Sequence, residues 1–375
     1  MANEYRFGIE EEFFLASARS RGAPQRSIAA FHKDAQKRLH VAEREVLQSQ
    51  IEISTEPSAS FEEVRAKLSD LRCGLADVGR KHNLLVFAAG THPTALWPAQ
   101  RKTEKARYQR IIDELQMVGR RWVVCGQHVH VEVPRPEARV DMMNRLLPFL
   151  PVLLALSTSS PFWEKRRTGL AGYRLRAYAE LPRAGLPDVF DDEADYARFI
   201  QVMTESGAIE DATFLWWHIR PSIRYPTLEL RVADACTRLD DTLAVAALYR
   251  CLVRLVDRRP DIHAKLTGAS RGFVTENLWR AQRDGVRASL IDETQARTVP
   301  VPAMVDALLN LIAEDAAALG CAAEVAHAKV IALNGSSADG QIAAYDAALE
   351  RGADDDEALR DVVDWLARET TGAPA

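Results

Sequence analysis

FGIEEEFFL, residues 7–15, is the stretch that most directly indicates the fold. Its alternation is imperfect, but a strand points successive side chains to opposite faces, which places Glu10 and Glu12 together and Glu11 on the other side. A single pair of acidic residues at this spacing is typical of the solvated face of an antiparallel sheet. Its meaning therefore depends on the rest of the chain.

Three further segments share this period-two pattern. Residues 50–55 read QIEIST, residues 126–133 read GQHVHVEV and residues 227–234 read TLELRVAD. Their polar positions are Glu52 in the first, His128, His130 and Glu132 in the second, and Glu229 and Arg231 in the third, while Glu45 precedes the first. If one sheet curls so that all four polar faces look inward, these side chains converge.

The coarse organisation of the chain combines strands with helices. Ser60 and Glu63 form a capping-box signature, and residues 103–121 have helical periodicity. Strand patterns predominate in residues 1–235, including residues 122–133, and helical patterns in residues 236–375. We therefore expect an α+β fold with a mainly antiparallel sheet and helices packed outside it. No Pro/Gly-rich linker divides the chain, which predicts a single domain over residues 1–375.

Composition excludes several classes of protein. The 375 residues carry 48 Lys+Arg against 53 Asp+Glu, a net charge of −5, which argues against nucleic acid as the main partner. The N-terminus lacks the apolar core of an export signal, and the apolar run Leu146–Leu156 is too short to span a bilayer. Five widely spaced cysteines without a CxxC motif indicate buried, reduced thiols. We expect a cytoplasmic protein without a membrane partner.

The converging acidic residues require compensating charge. A concave surface lined by carboxylates and one imidazole suits Mg²⁺ or Mn²⁺, and no cysteine pattern suggests structural zinc. Hard cations together with Arg220, Arg224 and Arg231 suit a polyphosphate. Neither a Walker-type GxxxxGK[ST] motif nor GxGxxG occurs, so a nucleotide would be held by the sheet rather than by a P-loop.

Several segments resemble the carboxylate–amine ligases, also called glutamate–cysteine ligase type 2, which are distant relatives of glutamine synthetase. They are FGIEEEFFL, LQSQIEISTEP, GTHPT, YQRIIDELQMVGRRWVVCGQHVHVEV, SSPFW, TGLAGYR and WWHIRPSIRYPTLELRVAD. The resemblance runs in order from about residue 6 to residue 290 and reaches into the tail. It implies a glutamine-synthetase-like fold, in which a curled antiparallel sheet forms a funnel with ATP and the amino acid entering from opposite ends.

The resemblance also implies roles for individual residues. Glu10, Glu12, Glu45, Glu52, His128 and Glu229 correspond to metal ligands, His130 to a nucleotide-side residue, Arg231 to the arginine facing the transferred phosphoryl group, and Arg220 and Arg224 to phosphate or carboxylate contacts. Glu229 and Arg231 are thereby the expected catalytic pair. The implied reaction phosphorylates a carboxylate with ATP and Mg²⁺ (or Mn²⁺) and lets an amine attack the acyl phosphate. Its nominal substrates are the small molecules L-glutamate and L-cysteine, and we expect a homodimer.

The sequence also departs from the family pattern. Lys165 and Arg167 stand where relatives have a glycine and an acidic residue, and Glu132 stands where they commonly have a small residue. These departures leave the substrate open. Residues 159–174 could be a lid, a substrate wall or an ordinary surface connection, and Arg280 could contact a nucleotide or form a helix-surface ion pair.

Two other functions remain compatible with these residues. A metal-dependent amide hydrolase would use the histidines and carboxylates to activate water, and it would turn over without ATP. A non-catalytic sensor with the same fold would bind ATP or an amino acid and release no ADP.

Overall fold

The computed structural model describes residues 4–372, which are 53% helical and 16% strand. The strands are β1 (Phe7–Ser17), β2 (Glu43–Arg44), β3 (Gln50–Ser54), β4 (Leu84–Phe87), β5 (Gln127–Glu132), β6 (Phe162–Trp163), β7 (Arg166–Arg167), β8 (Ala184–Gly185), β9 (Trp216–Trp217), β10 (Ile219–Pro221), β11 (Thr227–Leu230), β12 (Ser289–Asp292) and β13 (Arg297–Pro300).

The α-helices alternate with these strands and then dominate the C-terminal third. They are α1 (Ile28–Leu39), α2 (Phe61–Lys81), α3 (Ala106–Leu115), α4 (Met117–Arg120), α5 (Arg139–Leu146), α6 (Leu150–Ser157), α7 (Arg174–Tyr178), α8 (Glu193–Glu205), α9 (Leu239–Arg258), α10 (Gly268–Asp284), α11 (Val301–Leu311), α12 (Ala313–Ala318), α13 (Ala322–Asn334), α14 (Ser337–Glu350) and α15 (Asp355–Thr371). The predicted start of α2 is confirmed, because the Ser60 side chain accepts a hydrogen bond from the Glu63 amide.

The main sheet of the described chain has seven strands in the order β10–β11–β5–β1–β3–β2, with β4 paired to the C-terminal part of β1. Every pair in it is antiparallel, as expected. With 11 residues, β1 is long enough to pair with three other strands and therefore lies at the centre.

The register aligns the polar positions of neighbouring strands. Glu10 lies opposite His128 in β5, Glu12 lies opposite Glu52 in β3, and Glu229 in β11 lies opposite His130. Directly opposed residues of an antiparallel pair share a face. The polar residues of β1, β3, β5 and β11 therefore converge on one face of the sheet.

The other face of the sheet is the main part of the core. Ile9, Phe13, Ile53, Val129 and Leu230 are all fully buried on it. Helix α9 contacts β5, and α2 contacts both α9 and β4. Burying each of these side chains stabilises the fold by about 1.5–3 kcal/mol relative to leaving it exposed to water. This gain determines which face of the sheet packs against the helices.

One charged residue of β1 lies on this buried face. The carboxylate of Glu11 is bound by Nε and Nη2 of Arg72 in α2, and it also accepts a hydrogen bond from the Thr242 hydroxyl at 2.8 Å. The Arg72 guanidinium further donates to the carbonyls of Cys236, Thr237 and Thr370. This buried ion pair therefore connects β1, α2, the segment before α9 and α15.

The structure corrects part of the predicted organisation. Strands do not dominate residues 1–235, because eight α-helices (α1–α8) lie between residues 28 and 205. Helix α1 was missed although Ile28, Phe31 and Ala35 are buried at helical spacing, because polar residues surround them. The predicted helix over residues 103–121 is interrupted at Gln116, which has φ = 52°, and the strand predicted over residues 122–133 is confined to β5.

Two further observations concern burial. By length and composition alone, the helical segment Pro136–Ser157 could cross a membrane, but 83% of its most apolar window is buried within the fold, as in the core helix of a globular domain. All five cysteines are free; four are buried as predicted, whereas Cys73 is exposed. It lies on the outward side of α2.

Candidate active site

The polar face of the sheet holds a histidine cluster, defined here as Glu10, His128, His130 and Glu229. Nδ1 of His128 lies 3.2 Å from Glu10 Oε2, and Nε2 of His130 lies 3.4 Å from Glu10 Oε1 and 4.0 Å from Glu229 Oε1. One ligand atom each from Glu10, His128 and Glu229 lies within 4.8 Å of the others. This spacing fits a single cation.

Two arginines hold the Glu229 carboxylate from the side of β10 and β11. Nε of Arg220 donates to Glu229 Oε2 at 2.7 Å, and Nη1 of Arg231 donates to Glu229 Oε1. Arg231 also donates to the Tyr178 hydroxyl at 3.3 Å from Nη2, and its Nη1 lies 3.4 Å from Nδ1 of His128. Guanidinium charge is thus concentrated beside the histidine cluster.

Glu12, Glu45 and Glu52 form an adjoining acidic cluster. Glu12 and Glu52 face each other across β1 and β3, and each offers an oxygen within 4.8 Å of a His128 nitrogen. Glu45 follows β2, its carboxylate accepts a hydrogen bond from the Val46 amide at 3.0 Å, and its charge acts on Glu52. Among residues 4–372, no arginine or lysine nitrogen lies within 4.0 Å of these three carboxyl groups.

The two clusters have opposite electrostatics. Burial and repulsion from Glu10, Glu45 and Glu12 raise the pKa of Glu52 well above its usual range, and burial is the main cause that raises the pKa values of Glu12 and Glu45. Burial opposes ionisation of Glu10 and Glu229 as well. Hydrogen bonds from the two histidines nevertheless lower the pKa of Glu10, and Arg231 and Arg220 lower that of Glu229.

The histidines also differ from each other. Burial and the neighbouring Arg231 lower the pKa of His128, which favours the neutral ring that binds metals. Burial opposes protonation of His130 too, but its hydrogen bond to Glu10 and the charge of Glu229 raise its pKa. Nδ1 of His130 lies 3.0 Å from the Thr227 hydroxyl. The two imidazoles are therefore suited to different tasks.

Most of the predicted site residues are brought together by the structure, but Arg224 is not. It lies exposed in the turn between β10 and β11, and within residues 4–372 its side chain makes no hydrogen bond or ion pair with either cluster. Arg280 forms an ion pair with Glu276 at 2.8 Å on α10, as one of its two interpretations required. Glu132 lines a cavity beside the histidine cluster.

Residues 159–174, considered as a lid or wall, contact the segment that follows β11 and the C-terminal helices. Lys165 and Arg167, two departures from the family pattern, form ion pairs with Asp356 and Asp346 at 3.0 and 3.1 Å. Arg174, at the end of the segment, is buried, and its guanidinium lies 5.4 Å from the centre of the Tyr178 ring.

Sequence reasoning missed Tyr178 and Gly126. Tyr178 is on α7, and only the fold places its hydroxyl next to Arg231. The Gly126 amide donates to Glu12 Oε2 at 2.6 Å, and a Cβ at residue 126 would lie 2.2 Å from an Arg174 nitrogen. The segment GQHVHVEV contains this glycine. Its neighbour Arg174 lies 48 residues later in the chain, so no local sequence pattern indicates the contact.

Comparison with known proteins assigns this chain to a family. The family described as glutamate–cysteine ligase family 2 matches residues 6–364. A protein of Bradyrhizobium diazoefficiens named "Putative glutamate--cysteine ligase 2" is 43% identical over 375 residues, covering 100% of this chain and 86% of that protein. A protein of the same name from Rhodospirillum rubrum is 44% identical, covering 97% and 95% of the two chains.

Solved structures support the fold assignment. The glutamate–cysteine ligase of Francisella tularensis in complex with AMP superposes with a TM-score of 0.69 at 14% identity, covering 98% of this chain and 89% of that one. A bifunctional glutathione synthetase from Pasteurella multocida also gives 0.69 at 14% identity, covering 97% of this chain and 52% of that one. Because the family match extends over almost the whole chain, the protein belongs to the glutamate–cysteine ligase family 2.

Proposed function

We propose that this protein is an ATP-dependent ligase that joins a carboxylate to an amine through an acyl phosphate. The observation that carries the proposal is the pair of adjoining clusters on one sheet face, with Arg220 and Arg231 beside them. Family membership supports the same reaction class. Its finer elements, namely Mg²⁺, the individual residue roles and the substrates L-glutamate and L-cysteine, are parts of this proposal.

The donor set fits divalent cations of the Mg²⁺ or Mn²⁺ type. Three carboxyl groups meet in the acidic cluster, and among residues 4–372 no arginine or lysine nitrogen lies within 4.0 Å of them. Hard cations prefer such oxygen ligands. We assign Glu12, Glu45 and Glu52 to one position and Glu10, His128 and Glu229 to a second. Bound there, the cations would neutralise the charge of a transferred phosphoryl group.

The chain's own residues would then orient and activate the reactants. Arg231 is fixed by Glu229 and Tyr178, so that it can stabilise the charge on the γ-phosphoryl oxygens during transfer to the substrate carboxylate. Arg220 holds the other side of Glu229 and keeps this carboxylate ionised. His130 lies on the nucleotide side. Phosphorylation replaces a poor leaving group with a good one, and the attacking amine then expels phosphate.

The test is ADP release by the purified protein with Mg²⁺, ATP and glutamate, using cysteine, a panel of amines and hydroxylamine as acceptors. Acceptor-dependent release that is abolished by Glu229→Gln and retained by Glu276→Gln, a half-buried glutamate on α10, supports the ligase. The second variant controls for the change of a single carboxylate to an amide.

The same assay separates the rival functions. Amide hydrolysis without ATP would overturn the proposal in favour of a hydrolase. Binding of ATP with no ADP release for any acceptor would favour a sensor. The expected homodimer stays a prediction that light scattering can check.

A further inference from the structure

Beside the histidine cluster lies a cavity of about 460 Å³ that none of the assigned roles explains. Its lining includes Glu10 and His130 of the histidine cluster, Glu132 and Thr227, and the exposed residues Glu56 and Tyr225. Its size is in the range of pockets that hold drug-sized molecules. It is larger than a free amino acid such as cysteine requires. Its occupant would touch the residues proposed to hold metal and phosphate.

The charges of the cavity exclude an anionic occupant. Besides Glu10, its lining includes the carboxylates of Glu56 and Glu132 but a single guanidinium, that of Arg6. Arg6 donates to the Pro57 carbonyl at 2.6 Å. A phosphate or substrate carboxylate would meet net negative charge there. A neutral group rich in hydrogen-bond donors would instead find acceptors.

The strand register decides which part of the reactants reaches the cavity. Thr227 and Glu229 of β11 and Arg231, the residue after its end, follow one another at the spacing of one strand face, and Thr227 lies opposite Glu132. The cavity is therefore at one end of this row and Arg231 at the other, where Tyr178 and Arg174 also lie. In phosphoryl transfer the attacking and leaving oxygens are roughly in line, so the two reactants lie toward opposite ends of this row. Because guanidinium groups lie at one end and carboxylates line the cavity at the other, the anionic carboxylate donor fits the arginine end and the uncharged nucleoside fits the cavity end.

On this basis, which rests on the proposed function, we propose that Glu132 reads the nucleoside of the bound nucleotide by accepting a hydrogen bond from a neutral donor. That donor is a ribose hydroxyl or the 6-amino group of adenine. Tyr225, which is 58% exposed and whose ring centre lies 6.2 Å from that of His130 in an edge-on arrangement, offers a flat surface for the base. Carboxylates are strong acceptors for such donors.

Calorimetric titration with a non-hydrolysable β,γ-imido analogue of ATP and Mg²⁺ tests this role without turnover. The 2′-deoxy, 3′-deoxy and inosine forms of the analogue each remove one candidate donor. We expect wild-type protein to bind one of them about 10- to 100-fold more weakly than the parent, as loss of a hydrogen bond to a charged group implies. The weakened form identifies the donor.

Glu132→Ala should remove this discrimination, and Glu132→Gln, which keeps an acceptor oxygen, should retain part of it. Glu56→Ala, which deletes another carboxylate of the same cavity, should leave the discrimination unchanged. Equal binding of all forms by wild-type protein, or undiminished discrimination by Glu132→Ala, would overturn the role of Glu132. Loss of acceptor-amine binding in Glu132→Ala with nucleotide binding intact would assign the cavity to the amine instead. Failure of wild-type protein to bind the parent analogue would contradict the proposed function itself.

Discussion

The consecutive residues Glu10, Glu11 and Glu12 have different environments on the two faces of the central sheet. Glu11 points into the core, where Arg72 and Thr242 satisfy its carboxylate completely. Glu10 and Glu12 point the other way, and Glu12 opposes Glu52 instead of a cation. A buried charge that is paired stabilises one arrangement of the chain, whereas adjacent unpaired carboxylates are tolerated where they have a ligand to bind. The same residue type is therefore structural on one face and functional on the other.

The largest effect should come from the functional face. Arg231→Ala should lower kcat for ADP release by about 10³-fold or more, because the guanidinium positioned for the transferring phosphoryl group is lost. Arg220 still pairs with Glu229, so the variant should stay folded. Steady-state kinetics and a thermal melt measure both properties. Arg224→Ala is the matched control, and near-normal activity is expected because this arginine is exposed. Comparable losses in both variants would contradict the geometry described here.

On the face that packs against the helices, a substitution should lower the stability of the fold. Arg72→Ala leaves Glu11 buried without its cation, and it should lower the free energy of unfolding by about 3–5 kcal/mol. Arg80→Ala on the same helix breaks only an exposed pair with Asp77 and should cost less than about 1 kcal/mol. Urea denaturation compares the two variants. If they were equally stable, the buried pair would have no special role in holding β1.

Glu52→Gln should change the free energy of unfolding by a smaller amount than Arg72→Ala does, and should raise it. Glutamates directly opposed on neighbouring strands destabilise a sheet by roughly 0.2–1 kcal/mol, so the variant should be slightly more stable than wild type without metal. It should also bind Mn²⁺ more weakly, which titration calorimetry can measure. Glu63→Gln, an exposed change on α2, provides the control for altering a glutamate. Unchanged Mn²⁺ affinity would remove Glu52 from the proposed ligands.

The acidic cluster should also make the stability of the metal-free protein depend on pH. The pKa of Glu52 is raised in the folded state by burial and by its acidic neighbours, so the folded protein holds this proton more tightly than the unfolded chain. Its contribution to stability therefore falls as the pH rises from the unfolded value of 4.5 through the folded one. Metal-free protein should lose stability over this window, and Glu52→Gln should lose less. Identical pH profiles in melting experiments would contradict this.

The smallest effect is expected at Arg280, which lies on neither face. Its ion pair with Glu276 is on the surface of α10, so Arg280→Ala should change stability by less than about 0.5 kcal/mol. Affinity for the imido analogue of ATP should be unchanged. A clear loss of that affinity would restore the nucleotide-contact interpretation of this residue.

Much of the site could be predicted because a strand's periodicity is local. Alternation alone places Glu10 with Glu12, His128 with His130, and Glu229 with Arg231, and the resemblance of the quoted segments to one family identified the fold. Alternation gave no information on Arg224, which was expected from its arginine neighbours and from the resemblance, and which lies exposed in a turn where no strand fixes the side-chain direction. Periodicity also did not reveal α1, because polar residues surround its apolar positions.

The sequence by itself therefore determined which residues share a face and what charge each face carries. Only the tertiary structure decided which strands are neighbours, which residue opposes which, and which distant groups complete the site. Arg72 reaches Glu11 from α2, Tyr178 reaches Arg231 from α7, and Glu132 borders a cavity with Tyr225. The physical reason is that side-chain direction depends on the local backbone, whereas strand order and register depend on burying the whole apolar face at once.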